Sequence, residues 1–403
     1  MGNIEFLKGM FREYYLKNDI ILPPRFTRRE YGFMFFDKNY VLRHTSFFSR
    51  KELKRFLVEN APKHAYYSTA YYIDPRNKDM EKKGWLGADL VFDLDADHIP
   101  ETEGKSYEEM LRIVKREAQK LIYDYLLGDF GFDERHLQIT FSGGRGYHIY
   151  VRNKDVQSLG SNERREIVSY ITAESKDITK FLMVMEEVKR KKKRTLYILY
   201  PPEFGGWYSK LSREIVRISK ELLSLYESYG EDAVIEELND VLKDKKLSKR
   251  VVKDLFKKTS ENTMKIGYLI EEKQSQKLQI FGSDNLRNAF LFYLKEKIRI
   301  RGEADEPVTT DIHRLIRLIG SLHGKTGFIV KPLTLNEFNS FNPLIDSIPE
   351  IFKKEETKIK PKMEIKMMMN NEHFHIVDEE CVPNYLAVFL VARGMADFIA
   401  RCH

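Results

Sequence analysis

Cysteine is nearly missing from this chain: its 403 residues include two, Cys381 and Cys402. Two cysteines cannot build a disulfide framework, which excludes a small stapled secreted scaffold and predicts a reducing, cytoplasmic setting. No run approaches the ~18 consecutive apolar residues of a membrane span. The opening "MGNIEFLKGMFREYYLKN" is interrupted by Glu5 and Arg12, so no signal peptide is expected. Phe6 stands where a myristoylation signal carries Ser or Thr. Internal repeats and long Gly/Ser or Pro tracts are also missing, which removes solenoid and low-complexity classes.

What is present describes a soluble globular protein. Apolar residues make up 42% and charged residues 32%, and the length suffices for two or three domains with a large core. The net charge of +7 suits a polyanionic partner, but local clustering says more. "KRKKKR" (Lys189 to Arg194) and "KDKKLSKRVVKDLFKK" (243 to 258) are dense in cations. Each fits a nucleic-acid contact or a solvated helix face or loop.

The apolar pattern predicts helices over 3–18, 50–59 and 106–127. Ser106 is the cap of the last and Gly128 its stop. Segments 31–36 and 39–43 read as a hairpin around "DKN", and "HAYYSTAYY" (64–72) is strand-like. "LQITFS" and "GYHIYV" alternate with period two on either side of "GGRG" and predict a half-buried hairpin. Residues 162–284 read as a charge-rich helical module interrupted by "YPPEFGGWY" (200–208). A helix follows from about 285. "TDIHRLIRLI" then reads as helical, with Ile312, Leu315, Ile316 and Ile319 on one face. "NYLAVFLVARGMADFIARC" reads as a closing, core-packed helix.

Three stretches carry chemistry. "LVFDLDADH" ends an apolar strand with Asp93, Asp95 and Asp97 at alternate positions. On a strand, Asp93 and Asp95 share a face, about 7 Å apart by strand rise. Two carboxylates so placed repel, and a hard divalent cation removes the repulsion. The plain alternative is a solvated strand end, with Asp97 capping the next turn. In "SGGRGYHIYV", the glycines let a ligand approach the backbone. Arg145 can fork onto a phosphate, and Ser142 and His148 lie on the polar face beside the turn. An ordinary hairpin turn is the alternative. "GSLHGKTG" (320–327) resembles a P-loop but misses its spacing by one residue. Its His323 and Lys325 lie on a Gly-rich turn that suits phosphate, or merely caps a helix. Asp305, in "EADEPV", matters only if the fold carries it to Asp93 and Asp95.

"VFDLDAD", then "SGGRGYHIYV" some 50 residues on, then "DIHRLIRLIGSLHGKTG", resemble the small catalytic subunit of archaeo-eukaryotic DNA primases, most closely the archaeal type. "RREYGFMFF" (28–36), "AYYSTAYY" (65–72) and "GWLGADLVFDLD" (84–95) extend the likeness. It covers most of 1–165 and 285–335.

The resemblance implies an α+β fold: a primase-type catalytic core of mixed β-sheet with flanking helices. The core is discontinuous, 1–165 and 285–403, around an inserted, mostly helical module at 166–284. It implies primer synthesis on single-stranded DNA from nucleoside triphosphates during replication, by two-metal nucleotidyl transfer. Asp93, Asp95 and Asp305 would be the catalytic carboxylates and the ligands of two Mg²⁺ or Mn²⁺ ions. Ser142, Arg145, His148, Arg317, His323 and Arg43 would bind the nucleotide, with Glu30 lining the same site and Asp97 a neighbour only. It further implies a large regulatory subunit in a heterodimer, and a cytoplasmic, nucleoid-associated location. Two alternatives stay open: a related repair or end-joining polymerase that extends but does not initiate, and a non-catalytic nucleic-acid-binding relative. Residues 96–140 hold no cysteine for the zinc knuckle that many members carry. His373, His375, Cys381, Cys402 and His403 match no trusted zinc spacing, so no structural zinc is expected.

Overall fold

The computed structural model describes residues 2–173, 206–242, 284–298 and 300–402, with short pieces at 183–189, 193–199, 252–253, 255–257 and 266. The chain divides into two compact units, 1–172 with 302–403, and 173–301.

The first unit opens with α1 (Asn3–Lys17), whose Phe6, Leu7, Met10, Phe11, Tyr14 and Tyr15 are buried. These positions recur every three to four residues, as one inward helix face requires. There follow β1 (Tyr31–Met34), β2 (Val41–Thr45), α2 (Arg50–Asn60), β3 (His64–Ser68), β4 (Ala70–Tyr72), β5 (Trp85–Ala88) and β6 (Leu90–Asp95). The Ser49 side chain caps α2 by accepting from the Glu52 N–H. Next come α3 (Tyr107–Lys120), β7 (Leu137–Phe141) and β8 (Gly146–Val151). Ser106 and Glu109 close a reciprocal cap on α3. The helix expected to stop at Gly128 loosens after Lys120 into a π-helix over Leu121–Asp129.

The second unit contributes β9 (Met183–Lys189) and β10 (Lys193–Leu199), paired antiparallel, then helices Gly206–Leu242 and Asp284–Lys297. The long helix breaks at Gly230, whose φ of 79° no helix accommodates. The inserted segment is thus mostly helical among its described residues but includes a strand pair. Most of the basic runs 189–194 and 243–258 lies outside the described residues, as does most of "YPPEFGGWY".

Returning to the first unit, the chain forms a short helix Glu306–Thr310, β11 (Leu315–Arg317), β12 (Lys331–Leu333), β13 (Glu356–Pro361), β14 (Ile365–Met369), β15 (Glu372–Ile376), β16 (Glu380–Pro383), a helix Asn384–Ala392 and β17 (Ala396–Arg401). Two four-stranded sheets dominate, in the orders β11-β3-β1-β2 and β12-β7-β8-β6. The fold is α+β, and its sheet pairings are antiparallel.

Three sequence expectations fail, each for a tertiary reason. The helix expected over 310–319 gives way to strand β11, hydrogen-bonded to β3 with Ile316 opposite Tyr67 and Arg317 opposite Tyr66. Ile316 and Leu318 are buried, so the period that decides is two, and an open sheet edge outweighs weak helical spacing. The closing helix ends at Ala392, and Gly394 (φ 72°) turns the chain into β17, which pairs with β13. The two cysteines are joined: a Cys381–Cys402 disulfide ties β16 to the residue after β17, a link that the expected reducing setting did not anticipate.

A buried polar network joins the two large sheets. Arg29 and Asp89, both without exposed side-chain surface, pair at 2.7 Å. The Tyr71 hydroxyl donates to Asp89 at 2.6 Å. Arg29 also donates to the Ser68 and Thr69 carbonyls, and Arg164 to those of Ala88 and Asp89. Saturating both charges with hydrogen bonds is what makes their burial tolerable. The result fixes the start of β6, the strand that ends in the aspartates.

Candidate active site

Strand β6 is an edge strand, with β8 on one side. Phe92 and Leu94 are buried in the core while Asp93 and Asp95 face the other way, mostly buried with 21% and 31% of their side-chain surface exposed. On the open side of β6 the Asp305 N–H donates to the Asp93 carbonyl at 3.0 Å. That bond brings in the third carboxylate from 212 residues away in sequence. Asp305 precedes the helix Glu306–Thr310, and its side chain makes no capping bond there. His98 lies 3.6 Å from Asp305.

The electrostatics record the crowding. Asp93 is pushed up to about 7, first by burial and then by Asp95 and Asp305; Arg314 and Arg317 pull it back in part. A carboxyl held near neutrality by two neighbouring carboxylates is one that a divalent cation would ionise. Among the described residues, no three His, Cys, Asp or Glu side chains are already drawn tightly enough to hold an ion. The donor set nonetheless fits one: hard oxygens, like charge, and an edge open to solvent.

The hairpin lies beside this group because β8 pairs with β6, setting Asp93 opposite His148 and Asp95 opposite Gly146. A side chain on Gly146 would overlap the Leu94 carbonyl, so this register needs glycine. Gly143 adopts φ 78°, where glycine carries no steric cost. Ser142 accepts from the Gly144 N–H at 3.3 Å. Arg145 pairs with Asp97 and comes within 3.9 Å of Asp95. Asp97 is therefore the present partner of the arginine, while its own N–H donates to Asp95 at 3.1 Å.

His148 Nε2 lies 3.4 Å from Asp93. Burial, helped by Arg317 and Arg314, drops the imidazole to about 3, so the contact joins a neutral ring to the carboxyl and is no ion pair. Arg317, on β11, stacks over Tyr66 (4.8 Å) and reaches His323 Nε2 at 3.2 Å. A guanidinium only donates, so His323 Nε2 accepts, while Nδ1 faces the Thr326 hydroxyl at 3.2 Å and the Lys325 N–H at 3.4 Å. His323 and His64, whose rings lie 4.8 Å apart, are both held well below the usual imidazole value, chiefly by burial. Two buried nitrogens here lack a hydrogen-bond partner, His148 Nδ1 and Arg317 Nη1. Such atoms are rare in a finished interior and mark where an anionic or polar ligand would complete the shell.

Arg43 sits on β2 and pairs at 2.9 Å with Glu30, which is fully buried and also paired with fully buried Lys83. His44 completes this second cluster, 3.1 Å from Lys83. The fold thus groups Asp93, Asp95, Asp305, Ser142, Arg145, His148, Arg317 and His323, and leaves Arg43 with Glu30. Sequence reasoning missed His64, His98 and Arg314. His64 hides in an aromatic strand and the other two flank motifs already named. Only their spatial neighbours identify them.

A family model described as DNA primase small subunit matches residues 92–335. The chain is 39% identical to the DNA primase small subunit of Picrophilus torridus, over 97% of each chain. It is 37% identical to that of Methanothrix thermoacetophila, covering 97% of this chain and 98% of the relative. To that of Thermoplasma volcanium it is 34% identical over 98% of both.

Proposed function

The chain belongs to the DNA primase small subunit family, and from that premise we propose that it is the catalytic subunit that starts primers on single-stranded DNA. The observation that carries the reading is the meeting of three carboxylates with two buried, unpartnered nitrogens. Asp93, Asp95 and Asp305 gather on the open edge of β6, and His148 Nδ1 and Arg317 Nη1 wait beside them.

Divalent ions, Mg²⁺ or Mn²⁺, would be held by Asp93, Asp95 and Asp305 and would supply activation of a 3′-hydroxyl and neutralisation of the pyrophosphate charge. The chain's own residues position the nucleotide. Arg317 offers its unpartnered Nη1 to the triphosphate, and neutral His148, with Nε2 on Asp93, keeps Nδ1 free for a polar group of the nucleotide without adding charge. Arg145 exchanges Asp97 for a phosphate oxygen, a stronger bidentate partner. Gly143 and Gly144 let the backbone approach the same phosphates. His323, its Nε2 occupied by Arg317, orients that guanidinium. No protein nucleophile takes part, and the rate gain comes from positioning and charge neutralisation. Partnership with a large regulatory subunit, and work near the nucleoid, belong to the same proposal. The split of the core around residues 166–284 does too.

The test is synthesis on unprimed single-stranded DNA with labelled ribo- or deoxyribonucleotides and Mg²⁺ or Mn²⁺. Product is expected from the wild type and none from Asp95→Asn, whose thermal unfolding should match the parent. Extension of a supplied primer without de novo product would replace this reading with that of an extending polymerase.

A further inference from the structure

We propose that Phe48 and the cationic loop around Arg76 form a docking track for single-stranded nucleic acid leading to the carboxylate site; this rests on the primase reading. Phe48 is 66% exposed, while its neighbour Phe47 is 3% exposed and packs in the core. A solvent-facing ring is a liability unless something covers it. One face of Phe48 is already covered: the Arg76 guanidinium sits 4.5 Å from its centroid. Arg76 is itself held by the Ser46 carbonyl at 2.9 Å and the Ser46 hydroxyl at 3.1 Å. The ring is therefore oriented in advance, with a fixed cation behind it. Stacking aromatics backed by cations are what sequence-tolerant single-strand binding uses, since every base has a π face.

Charge points to the same partner. Segments 40–55 and 73–84, which carry Phe48 and Arg76, contain nine Lys and Arg against four acids. One of the four, Glu52, accepts from the Phe48 N–H at 2.9 Å and so helps hold the loop. The excess favours a polyanion over a neutral protein face.

The same face is tied to the candidate site through the interior. Arg314, which acts on Asp93, is followed back along the chain by His313, whose Nδ1 lies 3.0 Å from the hydroxyl of buried Tyr72. Buried Lys83 sits 4.9 Å from the Tyr72 ring centroid and pairs with buried Glu30, which holds the partly exposed Arg43. Arg43 and Arg76 are the exposed cations of this face, and Phe48 is its stacking ring.

The experiment measures binding of a fluorescein-labelled oligodeoxythymidylate by anisotropy, with the full chain and without nucleotide or divalent ion. Phe48→Ala is expected to weaken binding roughly five-fold or more. Arg76→Ala should weaken it and flatten its salt dependence by about one unit of slope. Phe48→Trp should keep the affinity, and its added indole fluorescence should be quenched by the oligonucleotide. Unchanged affinity in both alanine variants overturns the proposal. So does a loss confined to self-association, read by sedimentation, which would assign the face to a second copy. Because binding is read without synthesis, its failure leaves the primase reading to stand or fall on the unprimed-template assay.

Discussion

Asp93 ties the chemistry of the site to the stability of the fold. Its pKa is raised from 3.8 to about 7, with burial the largest cause. Between those values the folded chain keeps a proton that the unfolded chain has lost. Folding stability therefore falls as pH rises through that window and levels off above about 7. Three units correspond to roughly 4 kcal/mol as an upper bound. A divalent ion bound to the ionised carboxylates reverses that cost, so Mn²⁺ should raise the unfolding midpoint at pH 8 and hardly at pH 5. Asp93→Asn should flatten both the pH slope and the metal response; a wild type indifferent to Mn²⁺ at pH 8 would remove the metal site. Much of this group was legible. Period two put Asp93 and Asp95 on one face, and Ser142, Arg145 and His148 follow from a hairpin whose alternation is clean. Asp305 and Arg317 needed family resemblance, because only the β6 edge and the β11–β3 pairing bring them in. Arg43 and Glu30, also named through the resemblance, are paired with each other at 2.9 Å.

Elements were legible where local signals and tertiary partners agree. Helices α1, α2 and α3 begin where the apolar pattern puts them, and Ser106 caps the last. One hairpin is marked by "DKN" and the other by alternation. The failures are short strands at open edges: Leu315–Arg317 satisfies a helical template as well as a strand one, and nothing local announces β3. Turn chemistry supplies a test at this scale. Gly146→Ala would push a methyl into the Leu94 carbonyl, so β6 and β8 must separate or slip. The expected loss is about 1–3 kcal/mol, read by urea unfolding, with primer synthesis falling more steeply because Asp95 and Gly146 are paired. The Cys381–Cys402 link supplies another. It closes a loop of 21 residues, and loop-closure entropy sets its worth at about 3 kcal/mol. Cys402→Ser, or dithiothreitol, should lower the unfolding midpoint to the same value, and the two together should not lower it further.

At the scale of the whole catalytic unit, the two large sheets each bring part of the site. One contributes Asp93, Asp95, Ser142, Arg145 and His148, the other Arg317. Their relative placement rests on the Arg29–Asp89 network, with Tyr67 and Tyr150 stacked beside it. No chemistry occurs at Asp89, yet the site depends on it. Asp89→Asn keeps the shape but leaves Arg29 buried with a neutral partner, and removing one member of a buried pair costs about 3–5 kcal/mol. We expect unfolding at a markedly lower denaturant concentration, with nucleotide affinity and synthesis weakened in proportion to the unfolded fraction. That pattern separates it from Asp95→Asn, where synthesis disappears and unfolding is unmoved. If Asp89→Asn left stability intact but abolished synthesis, Asp89 would belong to the reaction rather than to the frame, and the division between the carboxylates that act and the one that positions them would have to be redrawn.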